Sequence, residues 1–392
     1  MEKNERKLKT ARLVAVVLFI AMIASTFVLL LVLPKKAGEL SSLEFRTLAD
    51  YPFRGLSFEK LTAELVRGDS SKKVDKFLED HFPGRSFFIA LNSYYLRLTG
   101  RNADQSVVWG RNSRLFDAAA EPDFEQTDKN VGAIDAFAEA NGLQTVFVNV
   151  PTSAVVVTED LPAVHLEYHD AEIIDRVREK SSADVPDLIE MYSSREDRGK
   201  LFYRTDHHWT MDGAYLCYEM LCEKLGTEPV SKDEFTVSSF DFYGSFYRKA
   251  GLWLTEPDEL QIWRSPKLDA MKVTIGSGDS AVVHEGVYDE EKLVPGEVDR
   301  YAAYLYSNNA VTVIENPDGN GRTLMIVKDS FGNSIAPLLA MNYSTVVMID
   351  TRYYSPAVVK PSELCSLYGV EQLVVVMGTD STDGLIEATY LR

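Results

Sequence analysis

Two segments hold residue types that can do chemistry together. The first is Tyr203-Arg-Thr-Asp206-His207-His208-Trp209, where two of the chain's six histidines stand side by side next to an acid. In an extended stretch, residues two apart share a face. Asp206 and His208 are therefore expected on one side and His207 on the other. The second is Leu324-Met-Ile-Val-Lys-Asp329-Ser330-Phe-Gly332-Asn-Ser334, an apolar run that passes through Asp-Ser into small residues. It places Ser330 at a strand-to-helix turn, where free backbone N–H groups could hold an oxyanion. A serine hydroxyl needs a histidine to take its proton, and the histidine needs an acid to fix its tautomer. These segments supply all three, and their order along the chain is no obstacle because geometry defines such a set. The nucleophile-elbow pattern G-x-S-x-G is half met: Gly332 is present and Lys328 stands in place of the first glycine.

Other readings compete. Asp-His-His could ligate a metal, but His81, His165, His169 and His284 are scattered along the chain, and no metal is assigned. A Ser after Asp at a strand end can serve only as a helix cap. Gly278-Asp279-Ser280 offers a second nucleophile, yet apolar Ala281-Val-Val follows it in place of a turn and helix, so Ser330 is preferred.

The elements that must position these residues follow from periodicity. Residues 57–81 read as helix, broken at Pro83 and Gly84, with a second helix over 86–99 and a short hairpin over 107–116. From about 128 helices and strands alternate. Helix 128–140 closes on Gly142, strand 145–150 follows, and helices at 170–180 and 210–225 come next, the latter closing on Gly226. Residues 235–318 read as a strand-rich insertion. Strand 323–327, helix 333–341 and strands 344–349 and 371–377 complete the pattern. Alternation of this kind predicts an α/β fold, a parallel sheet flanked by helices with its site at the carboxyl ends of the strands.

Leu13–Leu33 is 21 residues without a charge, enough to span a bilayer core of roughly 30 Å. Five Lys or Arg precede it and two follow, which places the N-terminus in the cytoplasm. A cleaved signal peptide is the alternative, but its apolar part is usually shorter and no A-x-A-like site follows here. The expected organisation is a cytoplasmic tail at 1–12, a signal-anchor span at 13–33, an entry region at 37–116 and the α/β domain at 117–392.

Residues 1–36 hold seven Lys or Arg against two Glu, net +5, while the rest hold 34 against 57 acids, net −23. A body this acidic argues against nucleic acid as a partner. Three cysteines exclude a disulfide-stapled scaffold and read as buried apolar thiols.

Asp206-His207-His208-Trp209 spells the naming motif of the DHHW proteins, and with Ser330 in Lys-Asp-Ser-Phe-Gly-Asn-Ser the chain resembles that family. It is also similar to the bacterial alginate O-acetylation proteins, whose SGNH-hydrolase-like domain is permuted so that Asp-x-His precedes the serine. Asp350-Thr-Arg352-Tyr353-Tyr354 resembles the family segment in which Arg and Tyr line the site. Arg46-Thr-Leu, Asp80-His-Phe-Pro-Gly-Arg85 and Val108-Trp-Gly110 resemble its entry region. His207 departs from the usual Thr between acid and base. The resemblance implies a permuted SGNH-like fold in which Ser330 takes an acyl group, His208 serves as base and then acid, and Asp206 orients it. It further implies Arg352, Tyr353, Asn149, Thr152 and His207 around the oxyanion or substrate. No cofactor is required. The acceptor would be a polysaccharide, and the donor would be delivered by a membrane-bound O-acyltransferase. An esterase with the same triad, or a non-catalytic surface scaffold, are the rival readings.

Overall fold

The computed structural model describes every residue except 1, 40, 42–46, 68, 105, 279–280, 356–358, 385–387 and 392. Arg46 and the competing nucleophile Ser280 lie outside the described residues. The chain divides into two compact units, Met1–Tyr95 and Leu96–Arg392.

The first unit is helical. Helix Glu2–Val32 contains one stretch, Lys9–Val32, long and apolar enough to cross a membrane. Helices Phe58–Arg67 and Asp69–Asp80 follow, and the break expected at Pro83 and Gly84 separates them from helix Arg85–Leu98.

The second unit opens with an antiparallel hairpin, β1 (Val107–Trp109) and β2 (Leu115–Asp117). The entry region expected at 37–116 includes this hairpin, which is held to the rest of its unit. The reason is Arg114, which is 2% exposed, pairs with Asp160 at 3.0 Å and donates to the carbonyls of Gly199, Phe202 and Tyr203.

The remaining strands are β3 (Gln144–Val150), β4 (Thr236–Phe242), β5 (Asp258–Arg264), β6 (Lys272–Ile275), β7 (Val282–Glu285), β8 (Val311–Glu315), β9 (Thr323–Lys328), β10 (Thr345–Asp350) and β11 (Val370–Gly378). Seven of them form one sheet in the order β3-β11-β9-β10-β8-β6-β7. The first four are parallel, and β8, β6 and β7 add antiparallel at the other edge. The sheet is therefore mixed, and the segment 235–318 is not wholly an insertion. Its β6 and β7, with β8 beside them, extend the main sheet, while β4 and β5 pair separately.

Alternating strand residues face opposite cores, because successive side chains of a strand point to opposite sides. Val146, Val148, Val150, Leu324, Ile326 and Val376 face helices Met211–Leu225 and Gly332–Ala340. Phe147, Met325, Val327, Val375 and Met377 face helix Phe124–Asn141. That helix starts on Asp123, whose side chain accepts from the Gln126 amide, and ends on left-handed Gly142. Helix Met211–Leu225 starts on Thr210 and ends on left-handed Gly226. The three cysteines are free and buried.

Candidate active site

The segment 201–210 is a tight loop of bends, pinned at its ends rather than extended. Tyr203 N–H donates to the His208 carbonyl at 3.1 Å and Thr210 N–H to that of Leu201 at 2.9 Å. Buried Asp258 accepts from the amides of Arg204 and Thr205 and from the Thr205 hydroxyl at 2.6 Å. The chain that follows Gly244 packs onto this loop so closely that a Cβ at 244 would sit 2.2 Å from Asp206 Cβ. Only a glycine fits there, and it lets the Ser245 amide donate to Asp206 Oδ2 at 2.6 Å.

On the other side, β9 runs into Asp329-Ser330 and helix Gly332–Ala340 starts two residues later. Lys328, at the place of the missing elbow glycine, folds its stem over Gly332, where a Cβ would lie 2.6 Å from Lys328 Cβ. Its ammonium is buried and donates to Asn308, Asn333 and Asp350 at 3.2, 2.7 and 2.9 Å. Asp329 braces the turn, accepting from the Phe331 amide at 2.9 Å and the Gly378 amide at 2.8 Å.

These elements bring Ser330 Oγ to 2.7 Å from His208 Nε2, and His208 Nδ1 to 2.5 Å from Asp206 Oδ1. An ionised carboxylate only accepts, so Nδ1 carries the proton and Nε2 is free to accept from the serine hydroxyl. Burial alone would raise the Asp206 pKa, but the two imidazoles and the Ser245 amide outweigh it and hold the group well below the usual carboxylate range. Asp206, His208 and Ser330 are 2%, 5% and 8% exposed.

His207 does not point away. Its ring lies 3.8 Å from that of His208, and Nδ1 approaches Ser245 Oγ at 3.0 Å and Asp206 Oδ1 at 3.4 Å. The alternation that predicted otherwise requires an extended strand, and this loop bends at every residue from 204 to 208. Burial, then the neighbouring His208, push the His207 pKa down. Asp206, His207 and His208 could also converge on a metal ion. In the arrangement seen, both His208 nitrogens are already committed to Asp206 and Ser330.

Of the amides at the start of the helix, Phe331 donates to the Asp329 carboxylate, Gly332 to the Asp329 carbonyl and Asn333 to the Ser330 carbonyl. Among the described residues none accepts from the Ser330 amide. The other expected residues are engaged by the following partners. Arg352 spends its fork on Asp350, with Nε and Nη2 at 2.9 and 2.8 Å. Tyr353 is 57% exposed and flanks Arg352. Asn149 shares the face of Phe147, opposite the core that holds Trp209, and accepts from Thr382 Oγ1 at 2.6 Å. Thr152 gives both its amide and hydroxyl to Asp170, at 2.6 and 3.1 Å.

Sequence reasoning missed Tyr301. Its ring stacks on the His208 imidazole at 3.8 Å and 11°, and its hydroxyl reaches the Ser330 carbonyl and Ser334 Oγ, each at 3.2 Å. Ser334 Oγ also accepts from Trp209 Nε1 at 2.8 Å. Nothing local marks Tyr301, one of 19 tyrosines in the chain.

A recess opens beside the triad, with His207, Phe331, Phe246, Thr152, Asp117 and Asp380 in its lining. Desolvation where its carboxyl faces the recess, then the like charge of Asp329, push Asp380, an exposed residue of the recess wall, up to about 6 against the pull of His207. A carboxyl whose folded pKa exceeds the unfolded value of about 3.9 makes stability fall as pH rises from about 4 to about 6. Asp380→Asn is therefore expected to melt above the parent at pH 7.5 and level with it at pH 4. An equal gap at both pH values would remove this assignment.

Comparison with known proteins matches the same stretches of sequence. The family model described as DHHW protein matches residues 175–349, which hold all three triad positions. The model of the SGNH hydrolase-like domain of the acetyltransferase AlgX matches residues 109–238. A probable alginate O-acetylase AlgJ from Pseudomonas fluorescens is 28% identical over 178 residues, 42% of this chain and 44% of that protein's length. A solved DHHW family protein from Eubacterium siraeum superposes with a TM-score of 0.60 at 18% identity, over 73% of this chain and 97% of its own. Bacillus cereus PatB1, solved with a sulfonyl adduct, gives 0.61 at 19% identity, over 74% of this chain and 99% of its own. At these identities the shared property is the mixed α/β fold.

Proposed function

We propose that this chain is a membrane-anchored, extracytoplasmic O-acyltransferase with a permuted SGNH-like domain, which acetylates a cell-surface or secreted polysaccharide. The observation that carries the reading is the continuous line Asp206–His208–Ser330, with contacts of 2.5 and 2.7 Å. His208 Nε2 takes the Ser330 proton as Oγ attacks the donor's acyl carbonyl. Asp206 stabilises the imidazolium that forms. The Ser330 amide faces the developing oxyanion. The imidazolium then protonates the leaving group, and an acyl-serine remains. A sugar hydroxyl in the recess gives its proton to His208 and attacks the acyl-serine; the acyl–Oγ bond then breaks, Ser330 Oγ takes the proton back from His208, and the sugar leaves as the ester.

The cytoplasmic side holds the common acyl donors, so a membrane-bound O-acyltransferase partner is proposed to deliver the acyl group across the bilayer. The same triad with water as acceptor would be an esterase. Near-complete burial of Ser330 and His208 favours transfer, because it limits competing water.

Labelling tests the activated serine. Full-length protein treated with phenylmethylsulfonyl fluoride is expected to gain one sulfonyl group on the peptide that contains Ser330, and His208→Ala is expected to prevent it. A label elsewhere, or labelling that survives His208→Ala, would end this reading.

A further inference from the structure

The helix Ser245–Ala250 has two working sides. Phe246 lines the recess beside His207. On its outer side a second recess is lined by Asp241, Tyr243, Tyr247, Arg248, Glu297 and Arg300 among others. The rings of Tyr243 and Tyr247 lie 4.5 Å apart, and Tyr243 is 38% exposed although it stands beside buried Phe242 and Gly244. The helix is tied directly to the catalytic loop: Tyr247 N–H donates to the Thr205 carbonyl at 3.1 Å, and the Ser245 amide to Asp206. Arg248 lies within electrostatic reach of Asp206. The outer recess is thus one helix away from the base.

We propose that Tyr243 and Tyr247, with the Glu297 carboxylate beside them, form a binding subsite for an uncharged hexopyranose unit of the acceptor chain. It rests on the acyltransfer reading only for the word acceptor. Tyrosine rings offer a rigid apolar face with a polar edge at little entropic cost, and the axial C–H face of a sugar ring matches that surface. Concave sites combine such apolar area with a few fixed polar groups. Glu297 supplies one: its Oε1 is held by the amides of Val298 and Asp299 at 3.1 and 3.0 Å. The Asp299 amide in particular keeps it below the usual carboxylate range, so it remains an acceptor for sugar hydroxyls.

The choice of an uncharged sugar comes from the arginines. Arg300 gives Nη1 to the Asp241 carbonyl at 2.5 Å and Nη2 to that of Val294 at 3.3 Å, and Arg248 gives Nη1 to the Val298 carbonyl at 2.6 Å. Arg248 is faced by the carboxylates of Asp206 and Asp299, Glu297 pairs with Lys292 at 3.7 Å, and Arg300 has both Nη atoms on carbonyls, so the charges of the recess are already matched within the protein and none is left over to select a uronate. The chain beyond residue 36 carries a net −23, which works against anionic polymers as well.

The test is titration calorimetry on the full-length protein in nanodiscs, with chitopentaose as the neutral probe and a mannuronate pentamer as the anionic one. Chitopentaose is expected to bind and the mannuronate pentamer at least tenfold more weakly. Tyr243→Ala/Tyr247→Ala is expected to raise the chitopentaose Kd at least tenfold, and Tyr243→Phe/Tyr247→Phe less than threefold, with thermal midpoints close to the parent's. Three outcomes overturn the proposal: no chitopentaose binding by the parent, equal binding by the alanine variant, or preference for mannuronate. Binding is read without acyl transfer. An inert Ser330 with intact chitopentaose binding would therefore defeat the acyltransferase reading and support this site.

Discussion

Ser330→Ala and His208→Ala are each expected to remove the proposed glycan acetylation in cells to background, while the protein stays folded and as abundant as the parent. The expected loss in turnover is about four to six orders of magnitude for either, with little further loss when both are changed, because members of a triad act as one unit. Asp206→Asn is expected to cost about four orders, since an amide in place of the carboxylate favours the wrong imidazole tautomer. Asp206 also holds the Ser245 amide and the backbone N–H of His208 at 3.0 Å, so that variant must be checked for folding. His207→Ala separates the two histidines. It leaves the His208–Ser330 contact in place, and its loss should fall well short of that of His208→Ala. Normal acetylation in the Ser330→Ala strain would exclude Ser330 as nucleophile. A His207→Ala defect as deep as that of His208→Ala would show that the base has been misassigned.

The largest expected effect on stability lies just behind the nucleophile. Lys328 and Asp350 are 1% and 0% exposed in their side chains, and Arg352 joins the same carboxylate. Burial pushes the Lys328 pKa down, and Asp350 restores part of it. Asp350→Ala strands a buried ammonium and releases Arg352. Breaking a buried pair in this way costs about 3–5 kcal/mol. Lys328→Met is expected to cost clearly less, because Asp350 keeps both contacts to Arg352 and the methionine retains the stem that covers Gly332. Denaturant unfolding of the two variants checks the order. Equal losses, or a loss below about 1 kcal/mol for Asp350→Ala, would mean that water reaches the pair.

Local pattern carried much of this protein. Short continuous apolar runs marked β3, β9, β10 and β11, and helical spacing closed by Gly142 and Gly226 marked the helices on the two faces. Both signals depend on near neighbours in the chain, so sequence carries them. The pairing of Asp206 with His208 belongs here in part. Two residues of a short loop have few ways to meet, and the pair formed although the loop bends where an extended strand was expected.

Tertiary structure decided the rest, for one reason: the partners are far apart in sequence and share no periodicity. Period two put Asn149 on the sheet face opposite the triad, which only the strand's register within the sheet reveals. Arg352 turned to Asp350 because that carboxylate is already held in the core by Lys328 of β9, 22 residues earlier, which nothing in the Arg352 segment announces. Tyr301, 93 residues after His208, stacks on the base because the chain returns there through a one-turn helix, Arg300–Ala303. The edge strands β6 and β7 read as an insertion because short strands give weak signals. They joined the main sheet because β8 left an open antiparallel edge for them. Asp206, His208 and Ser330 were legible as residue types suited to one reaction. The 122-residue separation of His208 and Ser330 is closed only by the sheet, with β9 ending beside the pinned loop and Lys328 and Gly332 packed tightly enough to aim the serine.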